Sequence, residues 1–396
     1  MPEQPITILT TTEALQTFCA EAANSRYISI DTEFIREKTY YPNLCLVQIA
    51  SESQAVIIDP LAEDIDLTAL FDLLQNEAVL KVFHAARQDI EIFLHLTGKV
   101  PTPVFDTQIG AMVCGFGESV SYDALVRDIT REQLDKTSRF TNWEQRPLTD
   151  KQLVYALADV THLRVVFEEL ESRLQQDNRL DWIESEMATL NDPATYICAP
   201  EDAWKRLKPK TKSPKFLAAL QAVAAWRERT AQTLNIPRGR LLKDDALGDI
   251  AASAPKNLEE LYKLRGMHRG MDAKQMELLL KELAAARELP KSDIPSLPEQ
   301  LQLPSSADAA IELLRVLLKR QCDKKNVAQK LVAGRTDLEM VALGRLAETP
   351  LAGGWRWEVF GRYADALMQG KLALALDVSG SVAILTQEEK ADIPAA

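Results

Sequence analysis

The first half of the chain alternates short runs of β-branched, apolar residues with longer segments of helical periodicity. Three strands are predicted at residues 27–31, 45–49 and 55–59. Because the connections between these runs are short, we expect them to form an antiparallel meander. A helix at residues 67–75 and a fourth strand at residues 81–84 follow.

Helical periodicity predicts further helices at residues 86–97, 106–114, 121–129, 149–158 and 160–176. Strands at the start, with helices mixed in later, are typical of an α/β or α+β domain built on a mixed sheet. We place this domain at residues 1–200.

Beyond residue 177 the strand signals fade and two helical blocks of similar size follow. Residues 204–215 hold six basic residues, two prolines and no acid, as a linker or an exposed basic arm would. We predict helical domains at residues 210–290 and 304–376, with a proline-rich joint between them and a flexible tail at residues 377–396. Both blocks place a long first helix before a Gly-bearing turn and shorter helices, which indicates two divergent copies of one module.

The net charge of −12 over 396 residues is unevenly distributed. Residues 1–200 carry a net charge of −17 and residues 201–290 a net charge of +6, while the remainder is nearly neutral. An acidic half followed by a basic segment favours carboxylates that hold cations in one part and attraction to phosphates in the other. Charge can also vary between domains for solubility alone.

The cysteines and the N-terminus indicate a reducing compartment. Five widely spaced cysteines include no CxxC pair, which argues against a zinc site or a disulfide framework. The N-terminus lacks the features of a secretory signal, and no apolar run approaches the roughly 18 residues that span a bilayer. We therefore expect a cytoplasmic protein and, without an evident oligomerisation stripe, a monomer.

Three segments carry candidate catalytic carboxylates. Asp31 and Glu33 close the first strand, and their spacing places both on one face, where they resist burial unless a cation neutralises them. Tyr155 and Asp159 are spaced i, i+4 on one face of a predicted helix. Asp89 lies in the first turns of another helix. Each has a structural alternative: a solvated strand, a buried Tyr–Asp pair, and a favourable helix-dipole contact.

The four carboxylates and one phenol become more informative when they are taken together. Oxygen-only ligand sets suit Mg²⁺ or Mn²⁺. Two such ions about 4 Å apart can stabilise both the attacking and the leaving oxygen of phosphodiester hydrolysis. The combination therefore favours a metal-dependent phosphodiesterase over three unrelated structural features.

The same segments resemble a known family. ISIDTEF at residues 28–34, VFHAARQDIEIF at residues 82–93 and RPLTDKQLVYALADVTHL at residues 146–163 resemble the three exonuclease motifs of the DEDD superfamily. Tyr155 marks the tyrosine type (DEDDy), and the run at residues 141–149 resembles ribonuclease D. The block at residues 214–288 resembles the HRDC domain, and the second block resembles it more weakly. The implied fold is a ribonuclease H-like α/β exonuclease domain followed by two all-α HRDC-like domains.

This resemblance also implies an activity. It implies a 3′→5′ exoribonuclease that releases nucleoside 5′-monophosphates and trims the 3′ ends of tRNA precursors and other small structured RNAs. Two divalent ions, Mg²⁺ or Mn²⁺, would be its cofactors. The implied catalytic residues are Asp31, Glu33, Asp89, Tyr155 and Asp159. The four carboxylates would hold the metals, with Asp31 bridging both, and Tyr155 would orient or deprotonate the nucleophilic water.

Candidate substrate contacts lie in both halves of the chain. Thr32 and Phe34 flank the carboxylate pair, and Phe34 or His84 could touch the terminal nucleotide, although His84 equally fits a core histidine. Gln48 on a neighbouring strand is a weaker candidate. A basic cluster beside the 205–215 arm could contact RNA phosphates or could be a solvated surface; its members are Arg227, Arg229, Arg238, Arg240 and Lys243.

Two alternatives stay open at this point. The same catalytic centre serves a 3′→5′ DNA exonuclease, because nothing in the motifs reads a 2′-hydroxyl. A non-catalytic RNA-binding scaffold is the second alternative, and the intact carboxylates argue against it.

Overall fold

A six-stranded mixed sheet forms the core of the N-terminal part. The structure is a computed structural model that describes residues 6–135, 137–267, 272–297 and 301–385. The strands are β1 (Thr7–Leu9), β2 (Tyr27–Ile35), β3 (Asn43–Ala50), β4 (Ala55–Ile58), β5 (Leu80–Phe83) and β6 (Val104–Asp106). Their order across the sheet is β1-β4-β3-β2-β5-β6.

The pairing of these strands confirms the predicted mixed sheet. β2, β3 and β4 form the antiparallel meander, whereas β2–β5, β5–β6 and β1–β4 are parallel pairs. The two outer strands, β1 and β6, were not predicted, because each is only three residues long. The core of the sheet is dominated by aliphatic side chains that are almost fully buried.

Seven helices accompany the sheet: α1 (Thr12–Ala22), α2 (Thr68–Gln75), α3 (Arg87–Thr97), α4 (Thr107–Val113), α5 (Tyr122–Thr130), α6 (Asp150–Gln176) and α7 (Leu180–Asn191). The predicted break near residue 159 is wrong, because α6 is one continuous helix. Its interior contains neither proline nor glycine, and its buried stripe continues through Ala156, Val160 and Leu163. A capping box formed by Thr149 and Gln152 starts it.

Two helical blocks follow, and their first three helices occur in the same order. The first contains α8 (Pro214–Thr233), α9 (Arg238–Leu241), α10 (Asp244–Ser253), α11 (Leu258–Tyr262) and α12 (Ala273–Arg287). The second contains α13 (Ser305–Lys325), α14 (Gln329–Val332), α15 (Arg335–Ala342), α16 (Gly354–Arg356), a π turn (Trp357–Gly361) and α17 (Arg362–Met368). In each block a long helix, a four-residue helix and a medium helix follow one another at matching intervals. Every helix in the described part of the chain is too short or too polar to cross a membrane.

The two blocks differ in how they join the rest of the molecule. The first block has its own core, in which Trp226 is buried. The core of the second block is continuous with that of the sheet domain. The indole rings of Trp182 and Trp355 stack at 4.5 Å between them, and the Ala328 N–H donates to the Met112 carbonyl at 2.9 Å.

Two predicted irregular segments are partly ordered. Trp204 lies in a 3₁₀ helix (Pro200–Arg206) and is buried in the core of the first block, so the basic arm begins only after this helix. The tail predicted from residue 377 is wrong at Val382–Leu385, which pairs as β8 with β7 (Ala373–Leu376). Apolar runs on both sides of a Gly-bearing turn explain this hairpin. Residues 386–396 lie outside the described residues.

The separate cores predict two unfolding transitions. Leu247 is fully buried in the first block and Leu314 is fully buried in the core that the second block shares with the sheet. Substituting either with alanine should cost about 2–5 kcal/mol of unfolding free energy, because each change leaves a cavity. In differential scanning calorimetry, Leu247→Ala should lower one transition and Leu314→Ala the other. If both variants shift one common transition, the division into two cores is incorrect.

Candidate active site

β2 carries the first two catalytic candidates to the middle of the sheet. Asp31 pairs with Gln48 of β3 and Glu33 pairs with Leu46, which places both carboxylates on one face. A bulge follows between Glu33 and Phe34 and changes the direction of the strand at the site.

The position of α6 across β2 is fixed by a buried hydrogen bond. The Ser29 hydroxyl donates to the Val160 carbonyl at 2.9 Å. Ser29 lies two residues before Asp31 on the same face, and Val160 directly follows Asp159. This contact therefore holds Asp159 beside Asp31, from an element that is remote in sequence.

Three carboxylates meet closely enough to share one cation. Asp31, Glu33 and Asp159 each offer an oxygen that lies within 4.8 Å of the other two. The donors are all carboxylate oxygens, the set that hard divalent cations such as Mg²⁺ and Mn²⁺ prefer. The residues present therefore fit the metal that the motifs imply.

Asp89 reaches the same site from α3 but lies outside this group of three. It is buried, and its carboxylate accepts a 2.5 Å hydrogen bond from the Thr32 hydroxyl. The start of α3 is held by Asp106, whose carboxylate accepts the Ala85 and Ala86 N–H groups at 3.0 and 2.9 Å. These hydrogen bonds fix the start of the helix that carries Asp89.

Burial and mutual repulsion raise the pKa values of the clustered carboxyl groups. Burial raises the pKa of Asp31 to about 6. Burial, followed by the neighbouring carboxylates, raises the pKa of Glu33 to about 10 and that of Asp159 to about 8. The pKa of Asp89 is raised for the same two reasons. Protons therefore compete for the site, and a cation would relieve the repulsion.

The side chain of Tyr155 completes the predicted set. Its phenol lies beside the carboxylates, and burial, followed by the charges of Asp159, Glu33 and Asp31, raises its pKa. The run at residues 141–149 supports it: the Trp143 ring is buried 6.0 Å from the Tyr155 ring. Arg146 anchors that run through two hydrogen bonds to Asp59 at 2.6 and 2.8 Å.

Three further residues, which were not predicted from the sequence, line the catalytic cavity of about 560 Å³. The Tyr122 hydroxyl donates to the Asp159 carbonyl. Arg139 offsets part of the rise in the pKa values of Glu33 and Asp159 that burial and the neighbouring carboxylates cause, and its guanidinium lies 5.2 Å from the ring of Phe140, which is 90% exposed. The adjacent Arg–Phe pair before the third motif was the available signal. Tyr122 gave none, because its contact joins residues 37 positions apart.

Three predicted contact residues also line this cavity: Thr32, Phe34 and His84. The His84 Nδ1 lies 3.0 Å from the Thr107 hydroxyl, while its Nε2 is buried without a hydrogen-bond partner among the described residues. Burial lowers the pKa of His84, so the ring is neutral at pH 7. Gln48 is fully buried opposite Asp31, and its amide has no partner in the described part of the chain either. Roles for these residues stay predictions.

Three of the predicted RNA-contacting arginines are engaged elsewhere. Arg229 forms ion pairs with Glu201 and Glu282. Arg227 is only 5% exposed and donates to Asp244 and to the Leu242 carbonyl, so its prediction as an RNA contact is wrong. Arg238 forms an ion pair with Glu228, which neutralises its charge. Charge density along the sequence does not reveal such internal partners. Arg240 is exposed, and its role stays a prediction.

Comparisons with known proteins agree with this geometry. Residues 6–175 match the family described as 3′-5′ exonuclease, and residues 216–288 match the HRDC domain. Ribonuclease D of Nitrobacter hamburgensis is 49% identical over 93% of this chain and 97% of its own length. Ribonuclease D of Gluconacetobacter diazotrophicus is 47% identical over 93% and 94%. The structure of Escherichia coli RNase D, an exoribonuclease involved in structured RNA processing, superimposes with a TM-score of 0.77 at 28% identity, covering 93% of this chain and 99% of that one.

The raised pKa values predict how the stability of the metal-free protein depends on pH. A carboxyl group whose pKa is higher in the folded than in the unfolded state binds its proton more tightly in the folded state. Its contribution to the free energy of unfolding is therefore lost as the pH rises through the folded pKa. Stability should therefore fall as the pH rises from about 4 through about 8. Asp31→Asn should raise the free energy of unfolding by on the order of 1 kcal/mol at about pH 8 and by less at about pH 5.

Thermal unfolding in EDTA measures this effect, and Asp64→Asn is the matched control, because Asp64 is an exposed acid outside the site. Adding Mg²⁺ should stabilise the native protein more than the Asp31→Asn variant, since the cation binds the folded cluster. Destabilisation by Asp31→Asn at pH 8 would contradict a repulsive cluster.

Proposed function

Because the chain belongs to the ribonuclease D family, we propose that it removes nucleoside 5′-monophosphates one at a time from RNA 3′ ends at a centre for two divalent metal ions. Its class of activity, 3′-5′ exoribonuclease, follows from this membership and from the exonuclease match at residues 6–175. The observation that carries the proposal is the convergence of Asp31, Glu33 and Asp159 within 4.8 Å.

The proposed metal ligands are the four carboxylates. Asp31, Glu33 and Asp159 would hold one ion, and Asp31 and Asp89 would hold the second, directly or through water. When bound, the two cations supply positive charge that stabilises the attacking and leaving oxygens. The hydrogen bond from Thr32 leaves the second oxygen of Asp89 available.

Tyr155 would orient the attacking water and leave its deprotonation to other groups. The raised pKa of the phenol keeps it protonated at neutral pH, so it is a hydrogen-bond donor and a poor base. Its packing near Trp143 limits the positions that the phenol oxygen can take. Orientation is therefore the role that its surroundings favour over proton abstraction.

The terminal nucleotide would occupy the cavity in front of the carboxylates. Its volume of about 560 Å³ is in the range of small-ligand sites. The exposed ring of Phe140 offers a surface on which a base can stack, and Arg139 offers a positive charge to a phosphate. Phe34 and His84 line the other parts of the cavity.

We also propose the finer assignments that the family suggests. The substrates would be tRNA precursors and other small structured RNAs, trimmed by a cytoplasmic monomer. The exonuclease domain would span residues 1–200, the first HRDC domain residues 210–290 and an HRDC-like domain residues 304–376. The HRDC match at residues 216–288 supports the middle assignment.

The first experiment incubates the purified protein with a 5′-labelled single-stranded RNA, in Mg²⁺, Mn²⁺ or EDTA. A ladder that shortens from the 3′ end is expected with a metal and should vanish in EDTA. Asp31→Asn should abolish it, whereas the exposed Asp64→Asn should not. A matched DNA oligonucleotide tests the DNA exonuclease alternative. RNA that is bound but never cleaved under any metal would leave only the scaffold alternative.

A second prediction concerns Tyr155. Tyr155→Phe keeps the ring in its packing and removes only the hydroxyl, so kcat should fall by on the order of 10²-fold with little change in KM. Steady-state kinetics with Mg²⁺ measures both constants, and Tyr262→Phe in the first helical block is the matched control. An unchanged kcat would exclude the orienting role.

A further inference from the structure

A second cavity, of about 610 Å³, adjoins the catalytic one. It lies between the sheet domain, the segment after α7 and the first helical block, and we name it the interdomain cavity. α3 separates the two: Asp89 lines the catalytic cavity and Arg87, two residues earlier, lines the interdomain cavity. Likewise, Phe34 lines the catalytic cavity and Arg36 lines the interdomain cavity. Two residues along an extended chain span roughly 7 Å. The two cavities are therefore neighbours, lined by residues only two positions apart on two segments of the chain.

Two of the four arginines that line this cavity are neutralised. Arg36 forms two hydrogen bonds to Glu91, at 3.0 and 2.8 Å. Arg238 forms a bidentate pair with Glu228, which is buried, and its guanidinium lies 4.6 Å from the Tyr40 ring. These pairs join the walls of the cavity and contribute no net charge to it.

The other two arginines keep their positive charge available. Arg87 is exposed, donates to the Thr195 carbonyl at 2.7 Å and lies 5.9 Å from the Tyr196 ring. Arg206 is exposed at the end of the 3₁₀ helix. Neither forms an ion pair with any residue that the structure describes. The cavity thus presents two guanidinium groups to an anion.

Aromatic rings stand beside these charges. The Tyr41 and His95 rings stack at 3.8 Å with an angle of 7° between their planes. Burial lowers the pKa of His95, so this ring is neutral at pH 7 and offers a stacking surface without charge. Flat rings interleaved with arginines are the surfaces on which unpaired bases and their phosphates bind.

Another neighbour of the catalytic cavity is acidic. A third cavity, of about 390 Å³, shares Tyr155 and Asp159 with the catalytic one. Besides Asp159 and His162, its ionisable lining residues are three acids and one base: Glu132, Asp135, Asp150 and Lys151. Like charges repel a polyanion there, so electrostatics favours the interdomain cavity as the path for RNA.

We propose that the interdomain cavity binds the unpaired nucleotides immediately 5′ of the one being hydrolysed. Arg87 and Arg206 contact their phosphates, and the Tyr41–His95 stack receives a base. The inference rests on the proposed function, because it extends the substrate of the same active site. It gives the contact between the sheet domain and the first helical block a role in substrate binding.

The test compares a dinucleotide, which occupies little more than the catalytic cavity, with an RNA of about 12 nucleotides. The variant is Arg87→Gln/Arg206→Gln, and Lys324→Gln is the control, an exposed charge on the second helical block. The variant should lose about tenfold or more in kcat/KM on the longer RNA, through KM, and much less on the dinucleotide. Its log(kcat/KM) should fall less steeply with log[salt], by roughly 1.4 for two lost phosphate contacts on a single strand.

Binding without turnover provides the second readout. In the Asp31→Asn background with Mg²⁺, the double variant should bind the longer RNA more weakly, as measured by fluorescence anisotropy. Arg206→Gln alone should show part of this loss of RNA affinity. Because Arg206 is exposed, we expect this substitution to leave the fold intact. An unchanged Kd, or an equal loss of kcat/KM on both substrates, would overturn the inference and leave the exonuclease intact. If the native protein hydrolyses neither RNA, the proposed function fails, and the Kd comparison still decides the cavity.

Discussion

The electrostatic repulsion among four carboxylates is the constraint on which the rest of this structure depends. Asp31, Glu33, Asp89 and Asp159 converge from three elements, although their charges favour separation. Contacts outside the cluster hold those elements in place, such as the hydrogen bond from Ser29 to α6 and the hydrogen bonds that Asp106 accepts at the start of α3. Stability is sacrificed locally so that a cation finds its ligands already assembled.

The surroundings of the cluster follow the same logic. The segment between α5 and α6 is irregular, yet the Arg146–Asp59 ion pair and the buried Trp143 attach it to the sheet. The attached segment packs Trp143 near the Tyr155 ring, and its residues Arg139 and Phe140 line the cavity. One anchored segment thus supports the orienting phenol and supplies a wall of the substrate site.

The sequence was most informative where chemistry depends on local spacing. Asp31 with Glu33 and Tyr155 with Asp159 were recognisable because strand and helix periods place each pair on one face. The central strands were equally clear, because their apolar runs are long. Short outer strands carry too few residues for a pattern to emerge.

Long-range pairing limited the remaining predictions. Arg227 looked available in a basic stretch, but its partner and its burial depend on how α8 packs against α10. Tyr122 contacts the backbone of α6 and has no motif of its own. The shared core of the second helical block was also unpredictable, because its apolar stripe does not reveal which surface covers it.

That shared core makes the first helical block an insertion between two parts of one folded unit. Both of its ends are tethered, by the segments before α8 and after α12, to a body that the last block helps to complete. A doubly tethered module that separates from its neighbour remains at a high effective concentration, because the chain limits how far it can travel. Its polar contacts with the sheet domain, such as the bond from Tyr40 to Glu228, can therefore break and re-form many times without the module being lost to solution. Formation of these contacts is a unimolecular event, so it does not depend on the protein concentration.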